Sequence, residues 1–339
     1  MSRKKALVIC PGRGVYNKTE LGYLKQYHSD KAELLAGFDA LRAAEDQELI
    51  TALDGAERFS VSKFTRGDNA SGLIYACSYA DFTVINCEAY DIVGLTGNSM
   101  GWYTALACSG ALSANDGFRV VNGMGSIMHN NAVGGQILYP FNDENWNDTP
   151  GKKAELEALA VEIEGLSISI YLGGMIVFAG TEDALTTLEK RLPVNGRFPM
   201  RLMNHAAFHS SLQNENSARG KTALPASMFS KPNIPLIDGR GHVWFPETVN
   251  VQELWDYTLD HQVTQTYNFT KAITNSVKEL APDILIILGP GTTLGGATAQ
   301  ALISCGWDSL LGKSDFIARQ AKTPILAAMG METQRKWVI

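Results

Sequence analysis

Gly97-Asn98-Ser99-Met100-Gly101 stands between an apolar run, Ile92-Val93-Gly94-Leu95, and a helix-like stretch, Trp102-Tyr103-Thr104-Ala105-Leu106-Ala107-Cys108. Strand, glycine-flanked turn and helix is the setting in which a G-x-S-x-G pattern carries chemistry. The two glycines let the backbone bend tightly and lift the serine hydroxyl above a sheet. The helix behind it starts with N–H groups that have no partner inside the helix and can face a developing oxyanion. The competing reading is a glycine-rich turn without chemistry, and the flanking elements favour the nucleophile.

Working outward, 339 residues suffice for one large domain, or for a domain with an insert. Apolar residues make up 45% and charged residues 19%, a balance able to bury a sizeable core. A net charge of -6, with no run of lysine or arginine, argues against nucleic acid as a partner. No apolar run approaches the ~20 residues needed to cross a bilayer, so no membrane association is expected. The basic opening Met1-Ser2-Arg3-Lys4-Lys5 leads into Ala6-Leu7-Val8-Ile9-Cys10, which Pro11-Gly12-Arg13-Gly14 ends at once. That reads as a first core strand, too short for a signal peptide. The five cysteines, Cys10, Cys77, Cys87, Cys108 and Cys305, are scattered and without metal-ligand spacing. They are expected to be reduced core residues of a cytoplasmic protein, with no metal.

The texture changes between the serine and the next cluster of chemical interest. Gly135 to Phe141 reads as a strand and Lys152 to Glu164 as a helix with Leu156, Leu159, Ala160 and Ile163 on one face. Leu166 to Leu172 and Met175 to Ala179 read as a hairpin about Gly173-Gly174. Thr181 can cap a helix carrying Leu185, Leu188 and Leu192, and Arg197 to Met203 is a last strand. The order βαββαβ is a split, ferredoxin-like unit. The expected fold class is therefore α/β, with a hydrolase-like large domain (1–130 and 205–339) built on a parallel central sheet. An inserted ferredoxin-like small domain occupies 131–204. Asp283 to Leu288 is apolar almost throughout, the pattern of a parallel strand buried on both faces, and it ends in Gly289-Pro290-Gly291. Three strands thus end in glycine-containing loops, which are expected to share one cleft at the carboxyl edge of the sheet. The apolar stretch from Ser71 to Tyr90 is expected to be a buried helix under the nucleophile strand.

A serine nucleophile needs a base within hydrogen-bond reach and usually a third group to orient that base. Of six histidines, His28, His129, His242 and His261 lie in contexts with nothing to recommend them. His205 and His209 sit where the insert hands back to the large domain, a natural cleft edge, and the residues alone do not decide between them.

Four motifs in order resemble the malonyl-CoA:acyl-carrier-protein transacylase family and the related acyltransferase domains of polyketide synthases. Pro11-Gly12-Arg13-Gly14 resembles its P-G-Q-G loop, and Gly97-Asn98-Ser99-Met100-Gly101 its G-H-S-L-G. Ala206-Ala207-Phe208-His209 resembles its H-A-F-H segment, and Gly289-Pro290-Gly291 its G-P-G loop. The insert falls in the family's interval. The resemblance implies Ser99 as nucleophile and His209 as general base, with an oxyanion held by the backbone N–H groups of Met100 and Arg13. It implies that the histidine is oriented by an oxygen near Gln262. It further implies acyl-CoA as substrate, phosphopantetheine on an acyl carrier protein as acceptor, and no tightly bound cofactor. Fatty-acid or polyketide biosynthesis is the context this suggests.

The departures from the family's pattern bear on the substrate pocket. Malonyl-specific members carry an arginine on the helix after the serine that pairs with the malonyl carboxylate. Aligned without gaps from Ser99, that position is Met124, and no arginine lies between Val120 and Lys152. Met124 therefore suggests an uncharged short acyl group, while Phe208 resembles the malonyl type. Asn98 replaces the usual histidine before the serine, and Trp102 the usual glutamate after the second glycine; both are expected to narrow or desolvate the pocket mouth. Arg201 and Lys271 are possible phosphate contacts. Two other functions fit the same residues: hydrolysis of acyl thioesters on carrier proteins, and an inactive carrier-binding scaffold.

Overall fold

A computed structural model describes residues 3–339. The first strand, β1 (Lys4–Cys10), is the centre of a six-stranded sheet, and its residues from Ala6 onward are wholly buried. It pairs in parallel with β2 (Tyr90–Gly97) on one side and with β10 (Ile284–Ile287) on the other. Beyond them lie β11 (Leu326–Ala328), next to β10, and β7 (Leu236–Ile237), next to β2, both parallel. The edge strand β8 (Val243–Trp244) runs antiparallel to β7. The sheet is thus mixed, where the sequence reading expected a parallel one. The departure is confined to a two-residue edge strand, too short to show a pattern.

The helix after Ser99 runs Gly101–Cys108, and the next, Ala114–Asn130, is capped by Ser113, whose side chain accepts from the Asp116 N–H. The buried helix read from Ser71 to Tyr90 is Gly67–Phe82. It packs mainly along Ala114–Asn130 and only secondarily on Gly101–Cys108, so its apolar residues face helices more than the nucleophile strand.

A second sheet has the order β6-β3-β5-β4-β9. Its strands are β3 (Gly135–Pro140), β4 (Leu166–Leu172), β5 (Met175–Gly180) and β6 (Met200–Arg201), with helices Lys152–Glu162 and Glu182–Arg191 between them. Strand alternation divides its side chains. Ile137, Tyr139, Ile176 and Phe178 join Leu156, Leu185 and Leu188 in a separate small core. Leu138, Ile170 and Val177 point the other way, into the main core. The fifth strand, β9 (Tyr267–Asn268), comes from well past residue 204 and pairs in parallel with β4.

Of the five cysteines, Cys10, Cys77 and Cys108 are buried and unpaired. Cys87 is exposed and Cys305 half-buried, so the expectation of a core position fails for these two. Both sit beside helix ends or loops, where local apolar composition does not report burial. No helix among the described residues is long and apolar enough to cross a membrane.

Candidate active site

The elbow is built from backbone that only its glycines permit. Ser99 sits at φ 54°, the left-handed region that L-residues enter at a cost. A Cβ on Gly97 would collide with the Gly101 backbone, and one on Gly101 with the Cys10 carbonyl. The turn therefore closes directly against the end of β1, to which it is tied by the Asn98 N–H donating to Cys10 O at 3.0 Å.

Ser99 Oγ lies 2.7 Å from His209 Nε2. On the opposite edge of the ring, Nδ1 lies 2.6 Å from the main-chain oxygen of Gln262. A carbonyl only accepts, so Nδ1 carries the proton and Nε2 is left as the acceptor for the serine hydroxyl. The Gln262 carbonyl is free for this because its short helix, Gln262–Thr264, ends before an i+4 amide arrives. That helix follows a π-helical turn, Tyr257–His261, which sets where the carbonyl points. His209 is 4% exposed, and burial lowers its pKa to about 4, so it is a neutral base at pH 7.

The Gln262 side chain forms part of the same network. Its Nε2 donates to Ser99 O at 3.0 Å, and its Oε1 accepts from the buried Tyr103 hydroxyl at 3.0 Å. Tyr103 is four residues past Ser99, one turn along the elbow helix, a spacing that could have revealed it. Among the described residues, the backbone N–H groups of Met100 and Arg13 donate to no protein acceptor.

A pocket of about 430 Å³, counting its open mouth, runs from Ser99 and His209 along Met100, Tyr103 and Gln262 to Met124 and Phe208. Met124 is 1% exposed, with its sulfur against Gly220, and it gives this wall a thioether surface. Arg13 also lines the pocket. Its Nη2 donates to Thr65 O at 2.6 Å and Asn204 O at 2.9 Å, and the guanidinium lies 5.5 Å from the Phe208 ring centroid.

Other expected site residues are elsewhere. Trp102 is wholly buried, donates from Nε1 to Thr258 Oγ1 at 3.0 Å and packs edge-on against Tyr257. It points from the elbow helix into the core and does not line the pocket, because its side chain leaves the helix about 100° around from Tyr103. Asn98 also lies outside the lining, turned toward Gly12. His205 pairs through Nδ1 with Gln136 Oε1 at 2.7 Å and does not reach Ser99. Arg201 pairs with Glu182 and Glu189. Lys271 faces a different groove, with Lys153 and Lys278.

Only two of the three glycine-containing loops meet at the pocket. Gly289-Pro290-Gly291 instead closes over a buried ionic cluster. There Asp81 accepts from Arg335 at 2.6 Å, Tyr23 at 2.7 Å and the Gly289 N–H at 2.7 Å, with His28 Nε2 at 2.7 Å. His28, which drew no notice in the sequence, is wholly buried here.

A six-stranded α/β sheet, a serine elbow facing a buried histidine and a second sheet inserted between them define the class: the fold of the malonyl-CoA:acyl-carrier-protein transacylases. The resemblance carried by the four motifs thus holds at the level of the fold. The structure superposes on the malonyl-CoA:acyl carrier protein transacylase of Xanthomonas oryzae pv. oryzae with a TM-score of 0.77, 18% identity, and 99% and 98% of the two chains covered. In sequence, the chain is 25% identical over 205 residues to the malonyl CoA-acyl carrier protein transacylase of Bacillus subtilis, covering 59% of this chain and 62% of that one. It is 26% identical over 289 residues to the hybrid PKS-NRPS synthetase tasS of Hapsidospora irregularis, covering 80% of this chain. The chain spans only 7% of that synthetase's length. No family model matches the chain.

Proposed function

We propose that this chain is an acyltransferase that moves an acyl group from CoA to the pantetheine thiol of an acyl carrier protein through an acyl-Ser99 intermediate. The observation that carries this reading is the 2.7 Å contact of Ser99 Oγ with a His209 whose tautomer is fixed as a base. The names of the Bacillus and Xanthomonas relatives supply the donor and acceptor.

In the first half-reaction His209 Nε2 takes the hydroxyl proton as Ser99 Oγ attacks the thioester carbonyl. The negative charge that develops on the carbonyl oxygen is held by the unengaged N–H groups of Met100 and Arg13. Collapse breaks the C–S bond, and the CoA thiolate leaves with the proton carried by His209. In the second half-reaction the carrier's thiol gives its proton to His209 and attacks the acyl-serine. Ser99 Oγ then leaves with that proton. Gln262 takes part twice, its carbonyl orienting the base and its amide holding the Ser99 carbonyl.

Transfer is tested by mixing the protein with acyl-CoA donors and a phosphopantetheinylated acyl carrier protein, and following the mass of the carrier. The expected result is an acylated carrier with the wild type and none with Ser99→Ala. Release of free acid without carrier acylation would make the enzyme a thioester hydrolase, and no turnover of any donor would contradict both readings.

A further inference from the structure

His209 stands at φ 56°, in the left-handed region that a residue with a Cβ enters at a cost. Such a backbone persists only where its surroundings over-determine it. The peptide unit between Phe208 and His209 is held at both ends. Its N–H donates to Val263 O at 3.0 Å, and its carbonyl accepts from Ser169 Oγ at 2.8 Å. The first partner follows Gln262 directly in the chain, and the second belongs to β4 of the second sheet. The acyl-transfer steps use Gln262 and leave Ser169 without a role.

Ser169 reaches that carbonyl because β4 is not a regular strand. Ile168 lies opposite Phe178 and Ile170 opposite Val177, so Ser169 is an extra residue bulged out of the ladder. Side chains two apart share a face in a regular strand, yet Ile168 packs on the small core and Ile170 joins the main core. Without the bulge Ser169 would share the face of the half-buried Ser167. With it, Ser169 is wholly buried and turned to the loop that carries His209.

The Phe208 carbonyl sets every direction in the network behind it. That oxygen only accepts, so the Ser169 hydroxyl donates to it and accepts from Gln136 Nε2 at 2.7 Å. Gln136 Oε1 then faces His205 Nδ1 at 2.7 Å, and Nδ1 carries the proton. Protonation of His205 leaves that donor in place. Gln136 is itself buried on β3, where its main-chain oxygen accepts from the Leu202 N–H at 3.0 Å. A buried polar chain with its members satisfied holds a single geometry.

Building on the assignment of His209 as the base in the acyltransferase reading, we propose that Ser169 is a positioning residue for that base, oriented in turn by Gln136. Ser169 touches no reacting atom. Its hydroxyl fixes the Phe208 carbonyl, and this sets the peptide from which the His209 side chain departs toward Ser99. Two supports thus converge on one imidazole: Gln262 orients the ring, and Ser169 holds the backbone that carries it. Displacing a catalytic group by ~1 Å costs on the order of 10²-fold in rate, so a small loosening of this peptide shows in acylation.

The test reads Ser99 reactivity in two ways, as loading from acyl-CoA and as modification by a fluorophosphonate, each followed by intact mass. Ser169→Ala should slow both by roughly 5- to 50-fold, between the effect of a lost hydrogen bond and that of a displaced base. Ser169→Thr, which keeps the hydroxyl, should recover most of the rate. In a His209→Ala background, Ser169→Ala should change the rate by less than about 2-fold, because nothing is left to position. Urea unfolding curves check that each variant is folded in the assay. Gln136→Leu, which frees the Ser169 hydroxyl to turn, should slow both reactions by the same His209-dependent route, and it carries the test if Ser169→Ala does not fold. Wild-type rates in the folded variant would overturn the proposal, as would an equal loss with and without His209, or a Ser169→Thr no faster than Ser169→Ala. If the fluorophosphonate reacts and no acyl-CoA loads, the transfer reading fails alone and the probe decides on Ser169. If neither modifies the wild type, both readings fall.

Discussion

His209 Nδ1 donates to the main-chain oxygen of Gln262 at 2.6 Å, so the group that orients the base is backbone, and no side-chain substitution at 262 removes it. A carbonyl at the end of a short helix is a neutral anchor. Its hydrogen bond fixes the tautomer and raises the imidazole pKa, but by less than burial lowers it. Burial therefore leaves the imidazole a weak base.

His209→Ala should lower the rate of Ser99 acylation by roughly 10²–10⁴-fold, the usual contribution of a general base. His205→Ala should cost far less, because His205 is bonded to Gln136 and not to Ser99. Single-turnover loading followed by mass spectrometry compares the two. A larger loss in His205→Ala would mean that the wrong histidine has been assigned.

The acid limb of the acylation rate should lie well below the ordinary histidine value of about 6.5. Burial lowers the His209 pKa to about 4, so the ring stays in its basic form as pH falls through mild acidity. Activity disappears once Nε2 is protonated and can no longer accept the serine proton. Loading rates measured across this range, with tryptophan fluorescence as a check on folding, read the limb directly. A limb near 6.5 would show that water reaches the ring.

Tyr103→Phe should slow acylation by roughly 2- to 10-fold, the effect of one neutral hydrogen bond. The tyrosine hydroxyl steadies Gln262 Oε1, and the same amide holds Ser99 O. The effect should fall on the rate of loading and leave the donor preference unchanged. A shift in donor preference would place Tyr103 against the acyl group instead.

Much of this site was legible in the sequence because its signals are local. The elbow declares itself through two glycines around Ser99, and the hairpin of the second sheet through Gly173-Gly174. His209 was separated from His205 only by its likeness to a family motif, since both lie in one short segment. What stayed hidden depends on residues far apart in the chain. Arg13 reaches carbonyls of Thr65 and Asn204, and neither spacing nor composition shows where its guanidinium goes. Trp102 stands where the family's motif has glutamate, which suggests a mouth residue, yet its helix turns it toward Thr258. Likewise β9 crosses to the second sheet with only two residues, too few for any period.

The same long-range blindness covered the cluster at Asp81, which joins His28, Tyr23, Arg335 and the Gly289 N–H within the core. Asp81→Asn leaves the Arg335 guanidinium buried without a counter-charge and should cost about 3–5 kcal/mol of stability. Urea unfolding curves of the two proteins measure this. A change under about 1 kcal/mol, the scale of an exposed pair, would mean that water screens Arg335.

The most direct measurement of the central claim is the intact mass of the protein after brief exposure to acyl-CoA donors, with peptide mapping of any adduct. The account predicts a single acyl group, on Ser99, absent from Ser99→Ala and discharged when a phosphopantetheinylated carrier is added. An unmodified mass with every donor, or an adduct that persists in Ser99→Ala, would contradict it.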